Sequence, residues 1–454
     1  MEHGKMSVMQ LTLLTSLSMM GAGILMLPAK LASLGAASTL AWLLTSIGAG
    51  AMAYVFARCG MLSKKKGGMG GFAEYAFGRT GSFFVTYAYG VSLVVGNMAI
   101  ALACVKYGFS AFNYQGTPFT ACLCSMALLW VSSALCFRSP GFIGIFTASV
   151  IWALLLPLIV FIAIGPFWFD ASVYMENWLA EDVSFWGALG SGFPMMFWAF
   201  LGLESACANV DAVESPEKNV PKAVVFATLL TAFIYVASTN LVAGIVPNAD
   251  LVESDAPFGV VYARMLGEGA APVASALLWL GCAGSLVTWQ FTLGRVFKSG
   301  AEVGFFPAVF THVNRANATV KGLTLITLLQ MVLTIPTLLF GWSDAGYEVL
   351  SEAAVCITLF AYVLCACGSL TLVRLSGASR ASRLRLALAV TLSLAAIFFT
   401  LCWLDALTLK MGALFFFAGW VFYAMTPAVR RCGAPAPEPR PAAPRPGAAE
   451  GDRQ

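Results

Sequence analysis

Charged residues and histidines are scarce in this sequence. Only 11% of its 454 residues are Asp, Glu, Lys or Arg, whereas 59% are hydrophobic. A soluble domain of this size carries more charge on its surface, so the composition excludes that class and indicates a polytopic membrane protein. Both histidines, His3 and His312, lie outside the apolar runs, which argues against a histidine-based metal site or catalytic dyad.

Paired cysteine spacing is also missing. The twelve cysteines are scattered through apolar stretches, as small buried hydrophobic residues are, and they form no disulfide framework. A membrane-embedded enzyme would need a nucleophile with a base or metal ligands, and the apolar core offers only Glu204. We therefore predict that the chain is not an enzyme and needs no cofactor, metal or nucleic-acid partner. A sensor or channel is a weaker alternative, because no large signalling domain follows the apolar region.

Long apolar runs dominate what is present. A membrane-spanning helix needs about 20 apolar residues, since each adds about 1.5 Å. By that measure the sequence predicts twelve spans, at residues 8–33, 36–57, 80–107, 118–137, 142–165, 184–212, 222–246, 272–297, 319–341, 350–373, 384–405 and 410–428. Residues 1–429 form the predicted transmembrane domain. Residues 430–454, rich in Pro, Ala and Arg, are a predicted disordered cytoplasmic tail without assigned function.

The positions of the basic residues predict the orientation of these spans. If the N-terminus is cytoplasmic, only four of the 26 Lys and Arg residues lie outside, namely Lys30, Lys106, Arg264 and Lys410. Such a bias favours a multi-pass protein with both termini in the cytoplasm and an even number of spans.

A glutamate interrupts the sixth apolar run. Residues 198–204 read W-A-F-L-G-L-E, and a carboxylate at the centre of a span costs roughly 2.5–3.5 kcal/mol on insertion scales. Gly202 can loosen the helix and so bring Trp198 and Glu204 to one cavity. We predict that Glu204 receives a cationic substrate that Trp198 covers. The alternative is a buried acid hydrogen-bonded to neighbouring helices.

A second glycine interruption lies in the first apolar run. Residues 19–28 read M-M-G-A-G-I-L-M-L-P, and a helix broken at Gly21 or Gly23 frees N–H groups that favour a carboxylate and carbonyls that favour an ammonium. The alternative is that these glycines only permit close helix packing. Breaks in runs one and six occupy matching positions of two five-helix halves, which is typical of a transporter binding site.

Several stretches together resemble a known family. They are residues 19–32, 67–78 (G-G-M-G-G-F-A-E-Y-A-F-G), 198–209 (W-A-F-L-G-L-E-S-A-C-A-N), 213–221 (V-E-S-P-E-K-N-V-P), 238–248 and 289–292 (W-Q-F-T) before 296–299 (V-F-K-S). On these the chain resembles the basic amino acid/polyamine antiporters of the amino acid–polyamine–organocation superfamily. The resemblance implies an all-α bacterial inner-membrane protein with twelve transmembrane helices in a LeuT-like 5+5 inverted repeat, broken in helices 1 and 6.

The resemblance also implies a function. The expected activity is exchange of a diamine, putrescine, for its parent basic amino acid, ornithine. Lysine–cadaverine exchange, arginine–agmatine exchange and proton-coupled uptake remain alternatives. The implied partners are the small-molecule substrates, membrane lipid, a proton-coupling step at Glu204 and a cytosolic amino acid decarboxylase, and a homodimer stays open.

Matching positions give the implied substrate-binding residues, which are Ala22, Gly23, Glu74, Tyr89, Asn97, Trp198, Glu204, Trp289, Tyr362 and Tyr423. Tyr89, Glu204 and Tyr362 would line the inner side of the substrate. Trp198 would close the outer side and Trp289 would stack on the substrate, since aromatic faces attract ammonium groups. Asn97 would bind the distal end. Each aromatic residue has packing as its alternative role, and Glu74 that of a helix N-terminal acid.

Two departures from the family pattern bear on substrate affinity. Ala22 stands where the family usually has a serine, so a hydroxyl for the substrate carboxylate is absent. Residues 427–431 lack an acidic residue that such antiporters carry nearby, which bears on polyamine affinity from the inner side.

Overall fold

The computed structural model describes residues 5–65, 67–209, 212–252, 254–339 and 344–426, with side chains at 336–339 and 344–348 left aside. The predicted tail at 430–454, the boundary at residue 429 and the stretch 427–431 lie outside the described residues. In the described ranges the chain is helical, without strands. The helices are α1 (Val8–Ala32), α2 (Ala41–Leu62), α3 (Met69–Ala111), α4 (Pro118–Leu135), α5 (Pro140–Ile164), α6 (Ala171–Glu176), α7 (Phe185–Phe200), α8 (Ser205–Ala208), α9 (Pro216–Ile245), α10 (Asn248–Val252), α11 (Pro257–Leu266), α12 (Ala270–Glu302), α13 (Val320–Leu339), α14 (Asp344–Leu375), α15 (Arg380–Trp403) and α16 (Ala406–Met425).

Each predicted apolar run overlaps one of these helices, and the sixth run overlaps both α7 and α8. Local capping residues set several helix ends. Ser7 forms a capping box with Gln10 at the start of α1, because the first N–H groups of a helix lack partners within it. Asp405 accepts a hydrogen bond from the Thr408 N–H at 2.8 Å, so α16 begins at Ala406, four residues before the predicted start at 410.

Helix lengths and surfaces fit a membrane. Ten helices of the described chain are long and apolar enough to span one, and Val320–Ile335 of α13 is a shorter apolar helix. On α9 the large side chains of Phe226, Leu229 and Phe233 are mostly exposed and follow helical spacing. An exposed apolar surface of this kind is unfavourable in water and favourable in contact with lipid. The protein is therefore a multi-pass membrane protein.

Helix α3 lies at the centre and packs against α12 and α14, while α1 packs against α9 and α12. Helix α3 begins at Met69, eleven residues before the predicted third span at 80–107, because the chain is helical on both sides of a kink at Gly78. Gly78 adopts a φ of +62° there, which glycine tolerates without steric cost. The short helices α6, α10 and α11 lie outside the predicted spans and were not predicted from the sequence.

Candidate functional site

The predicted interruptions of the first and sixth spans are present, one inside α1 and the other between α7 and α8, and the two touch. Gly21 leaves the helical region inside α1, with φ −39° and ψ −117°, and α7 ends at Phe200 before α8 starts at Ser205. Between them Gly202 adopts a φ of +118°. A Cβ on Gly202 would lie 3.0 Å from the Met19 backbone nitrogen, so the loop after α7 passes directly against the break in α1.

Neighbouring side chains occupy the carbonyl groups that these breaks release. Trp289 Nε1 donates to the Ser18 carbonyl at 2.9 Å. The Tyr235 hydroxyl lies 2.6 Å from the Met19 carbonyl oxygen and 2.9 Å from that of Ala199, and its single proton serves one of them at a time. The broken segments are thus tied to α12 and α9.

A narrow cavity opens beside the two breaks. Seven of the ten predicted site residues line it, namely Ala22, Gly23, Tyr89, Asn97, Trp198, Glu204 and Trp289. They come from α1, α3, α7, the segment before α8, and α12. The structure therefore brings together side chains that are up to 267 positions apart, from Ala22 to Trp289. We call this space the central cavity.

Glu204 is fully buried at the wall of the central cavity. Its Oε2 atom accepts the Gly202 N–H at 2.9 Å and the hydroxyl proton of Tyr362. Its Oε1 atom accepts no hydrogen bond of ordinary geometry among the described residues, and the buried hydroxyl of Tyr89, which lies close enough to interact with Glu204, makes none there either. A carboxylate oxygen without a partner in a buried cavity is costly, and a cationic donor would satisfy it.

Asn97 presents a second acceptor to the same cavity. Its Nδ2 group donates to Gln290 Oε1 at 3.1 Å, whereas its Oδ1 atom is buried without a hydrogen-bond partner in the described part of the chain. Asn97 is 1% exposed, so this oxygen is shielded from bulk water. The cavity wall consequently holds two acceptor atoms, one from Glu204 and one from Asn97.

Trp198 separates the central cavity from a second one. The second cavity is lined by Trp198 together with Lys30, Ser351 and Glu352, among others. Because Trp198 belongs to the lining of both cavities, its indole ring forms part of the partition between them. Displacing this ring would join the two spaces.

A basic opening lies near Glu204 in the chain. Cys207, three residues after Glu204, lines a wide opening together with Lys64, Lys65 and Lys298. The stretch from Trp198 to Cys207 thus runs from the partition, past the central cavity, to the basic opening. A loop that contacts all three spaces is well placed to couple movements at both ends.

Three predicted site residues lie outside the lining of the central cavity. Tyr362 stands behind Glu204 and reaches it by its hydrogen bond, with its ring against Phe56 at a centroid distance of 5.2 Å. Glu74 forms an ion pair of 2.7 Å with Lys65, which lines the basic opening. Tyr423 bonds Thr80 of α3 at 2.8 Å. Direct substrate contact by Glu74 and Tyr423 stays a prediction.

Sequence reasoning missed three polar side chains that shape this site. Tyr235 ties the two breaks together, and Gln290 and Gln330, both fully buried, hold Asn97. The signal available was a glutamine inside an apolar run, which is unusual enough to mark a buried polar contact. Gln290 sits within the W-Q-F-T stretch, whereas nothing local connects Gln330 with Asn97.

The fold and this buried, acceptor-lined cavity define a polytopic membrane permease. A family model described as amino acid permease matches residues 6–426, and the chain belongs to the amino acid permease family. It is similar to the putrescine transporter PotE of Haemophilus influenzae, with 46% identity over 80% of this chain and 83% of that protein.

Two relatives from Escherichia coli K12 extend the comparison. The putrescine transporter PotE of that organism is 43% identical over 80% of this chain and 82% of its own length. The cadaverine/lysine antiporter is 31% identical over 76% of this chain and 78% of its own length. Similarity to the two putrescine transporters is therefore markedly greater than similarity to the cadaverine/lysine antiporter.

Proposed function

We propose that this protein exchanges the diamine putrescine for the amino acid ornithine across a bacterial inner membrane. The relatives with 43–46% identity carry the name putrescine transporter, and the cadaverine/lysine antiporter is more distant at 31%. Lysine–cadaverine and arginine–agmatine exchange are therefore the less favoured substrate pairs. Paired with a cytosolic amino acid decarboxylase, such exchange would remove protons from the cell.

The pair of unpartnered acceptors in the central cavity carries this proposal. A diamine has a donor-only ammonium at each end, and Glu204 Oε1 and Asn97 Oδ1 are both buried acceptors without a partner in the described chain. Glu204 neutralises one positive charge, which burial of an ammonium requires. The indole rings of Trp198 and Trp289 add aromatic faces to the same cavity.

Ornithine would use the same cavity with its head group at the break in α1. Ala22 and Gly23 begin the second half of that helix and line the cavity, where the helix dipole favours a carboxylate. Since Ala22 offers no hydroxyl, backbone N–H groups alone would hold the carboxylate. The distal ammonium of ornithine would then take one of the acceptors that putrescine uses.

Alternating access would expose the central cavity to one side at a time. We propose twelve spans in two inverted five-helix repeats plus two further helices, with both termini cytoplasmic. In that arrangement α1 and α7–α8 are the broken first and sixth spans, and the basic opening faces the cytoplasm. Trp198 then closes the outer side, while Tyr89, Glu204 and Tyr362 lie on the inner side. Proton release from Glu204 would provide coupling in an uptake mode.

Counter-transport into proteoliposomes tests the proposal. Labelled putrescine uptake is measured into vesicles loaded with ornithine, lysine, arginine or buffer, and we expect flux chiefly with ornithine inside. Flux that requires internal lysine or arginine instead would keep the exchange mechanism and change the substrate pair. A third outcome is uptake into vesicles that contain only buffer, stimulated by an imposed pH gradient. That outcome would contradict obligate exchange and favour the proton-coupled alternative. Vesicles without protein provide the control for leakage.

A further inference from the structure

A chain of three buried amides leads away from the central cavity. Asn97 Nδ2 on α3 donates to Gln290 Oε1 on α12 at 3.1 Å. Gln290 Nε2 in turn donates to Gln330 Oε1 on α13 at 2.8 Å. Gln330 Nε2 donates to the backbone carbonyl oxygen of Val94 on α3 at 3.3 Å. Gln290 and Gln330 are fully buried, so water does not compete for these groups.

The backbone carbonyl at the end of the chain sets its direction. A carbonyl oxygen only accepts hydrogen bonds, so Gln330 must turn its NH₂ group toward Val94 and its Oε1 atom toward Gln290. Gln290 must then donate to Gln330 and accept from Asn97. A reversal at any one amide would oppose two donors or two acceptors in a buried site, which costs the desolvation of both groups.

The direction of the amide chain sets the orientation of Asn97 at the central cavity. With its NH₂ group bonded to Gln290, Asn97 cannot exchange the positions of Nδ2 and Oδ1, so the unpartnered Oδ1 is the acceptor that it offers to the cavity that it lines. A free asparagine could rotate to offer either a donor or an acceptor. The amide chain removes that choice, and the cavity offers an acceptor at this position to any ligand.

We infer that Gln290 and Gln330 are positioning residues that hold Asn97 as an acceptor for the second ammonium of the substrate. This inference rests on the proposed diamine exchange and adds its specificity. Ligands with a distal ammonium gain a hydrogen bond at Asn97 that ligands ending in a methyl group do not. Neither glutamine lines the central cavity among the described residues, so both act through Asn97.

Kinetics of a Gln330→Met variant test the inference, because methionine fills similar volume without fixing Gln290. Reconstituted protein is assayed for labelled putrescine uptake against internal ornithine, and butylamine, the monoamine of equal carbon length, is the competitor. We expect the KM for putrescine to rise about tenfold, the loss of one hydrogen bond to a charged group. The maximal rate and the inhibition constant of butylamine should stay within about twofold of wild type.

Non-additivity gives a second readout. Gln290→Leu breaks the same series of amides at the residue that bonds Asn97 directly. The KM for putrescine of the double variant with Gln330→Met should therefore be no higher than that of Gln290→Leu alone. Thr327→Val is the matched control, because Thr327 is buried on α13 and bonds Ser133 instead. If Gln330→Met does not reach the membrane, Gln330→Asn, with an amide of shorter reach, should give the same shift.

The outcomes separate this inference from the proposed function. A wild-type protein that takes up no putrescine contradicts the proposed function. An active wild type whose Gln330→Met variant keeps its KM for putrescine contradicts the inference alone. Equal loss of putrescine and butylamine affinity would show a purely structural role for the amide chain and would likewise overturn the inference.

Discussion

Tyr362 donates its hydroxyl proton to Oε2 of Glu204, which joins α14 to the break between α7 and α8. The Gly202 N–H bonds the same oxygen at 2.9 Å. One oxygen of the carboxylate is thereby held on two sides, while Oε1 has no partner within the described ranges. The arrangement fixes the direction in which the free oxygen points, so that a ligand does not have to order the side chain on binding.

Glu204→Gln should abolish putrescine exchange while leaving the protein folded. Glutamine can still accept the Gly202 N–H, but it cannot neutralise a buried ammonium. Leaving such a charge unpaired lowers exchange by about a hundredfold or more. Exchange and thermal unfolding are measured on the same preparation. The control is Asp170→Asn, because Asp170 caps α6 outside the apolar runs. Normal exchange by Glu204→Gln would refute the role of Glu204.

Tyr362→Phe should raise the KM for putrescine by about two- to tenfold, because the Glu204 side chain loses the hydrogen bond that holds it and the substrate must then order it on binding. The phenyl ring keeps its edge contact with Phe56, so we expect unfolding temperature to change little. Substrate titration of the initial exchange rate gives the KM. Tyr87→Phe is the matched control, since the buried Tyr87 hydroxyl donates to the Phe415 carbonyl instead. Equal effects of both variants would contradict a specific role for Tyr362.

Trp198→Ala should loosen the coupling of exchange. Removing the indole ring from the partition joins the central cavity to the second cavity, so putrescine can leave without a counter-substrate. We measure efflux of labelled putrescine from loaded vesicles into buffer with and without external ornithine, and expect the ornithine-independent fraction to increase. Trp186→Ala serves as control, because Trp186 lies on the same helix and is 70% exposed. Efflux that stays dependent on ornithine would exclude a partition role.

Gly202→Ala should destabilise the protein and impair exchange together. The φ of +118° at this position is one that side chains rarely adopt, and such strain costs about 1–3 kcal/mol. The added Cβ would also lie 3.1 Å from the ring of Trp289. Thermal unfolding in detergent gives the stability change. Gly50→Ala, where a Cβ meets open space on α2, should be neutral. An equally neutral Gly202→Ala would show that the loop tolerates rearrangement.

Much of the helical framework follows from the sequence alone, because lipid forces backbone polar groups to pair within each helix. Apolar runs of sufficient length therefore predicted helices at the observed places. Local chemistry was equally readable at Gly21 and Gly202, where glycine permits the breaks that the structure contains. The cost of burying a carboxylate singled out Glu204 before any contact was known.

Contacts between distant helices were decided only by the tertiary structure. Tyr235 reaches both breaks, and Gln330 joins Val94 and Gln290, because helix packing places these side chains together. Their sequence spacing carries no trace of those pairings. The positions of Glu74 and Tyr423 also depend on the tertiary structure. Glu74 pairs with Lys65 and Tyr423 bonds Thr80, and both contacts lie away from the central cavity. Residue types and helix lengths are local properties of the sequence. Which polar atoms, such as Glu204 Oε1 and Asn97 Oδ1, have no hydrogen-bond partner in the described chain depends on all the neighbours that folding places around them.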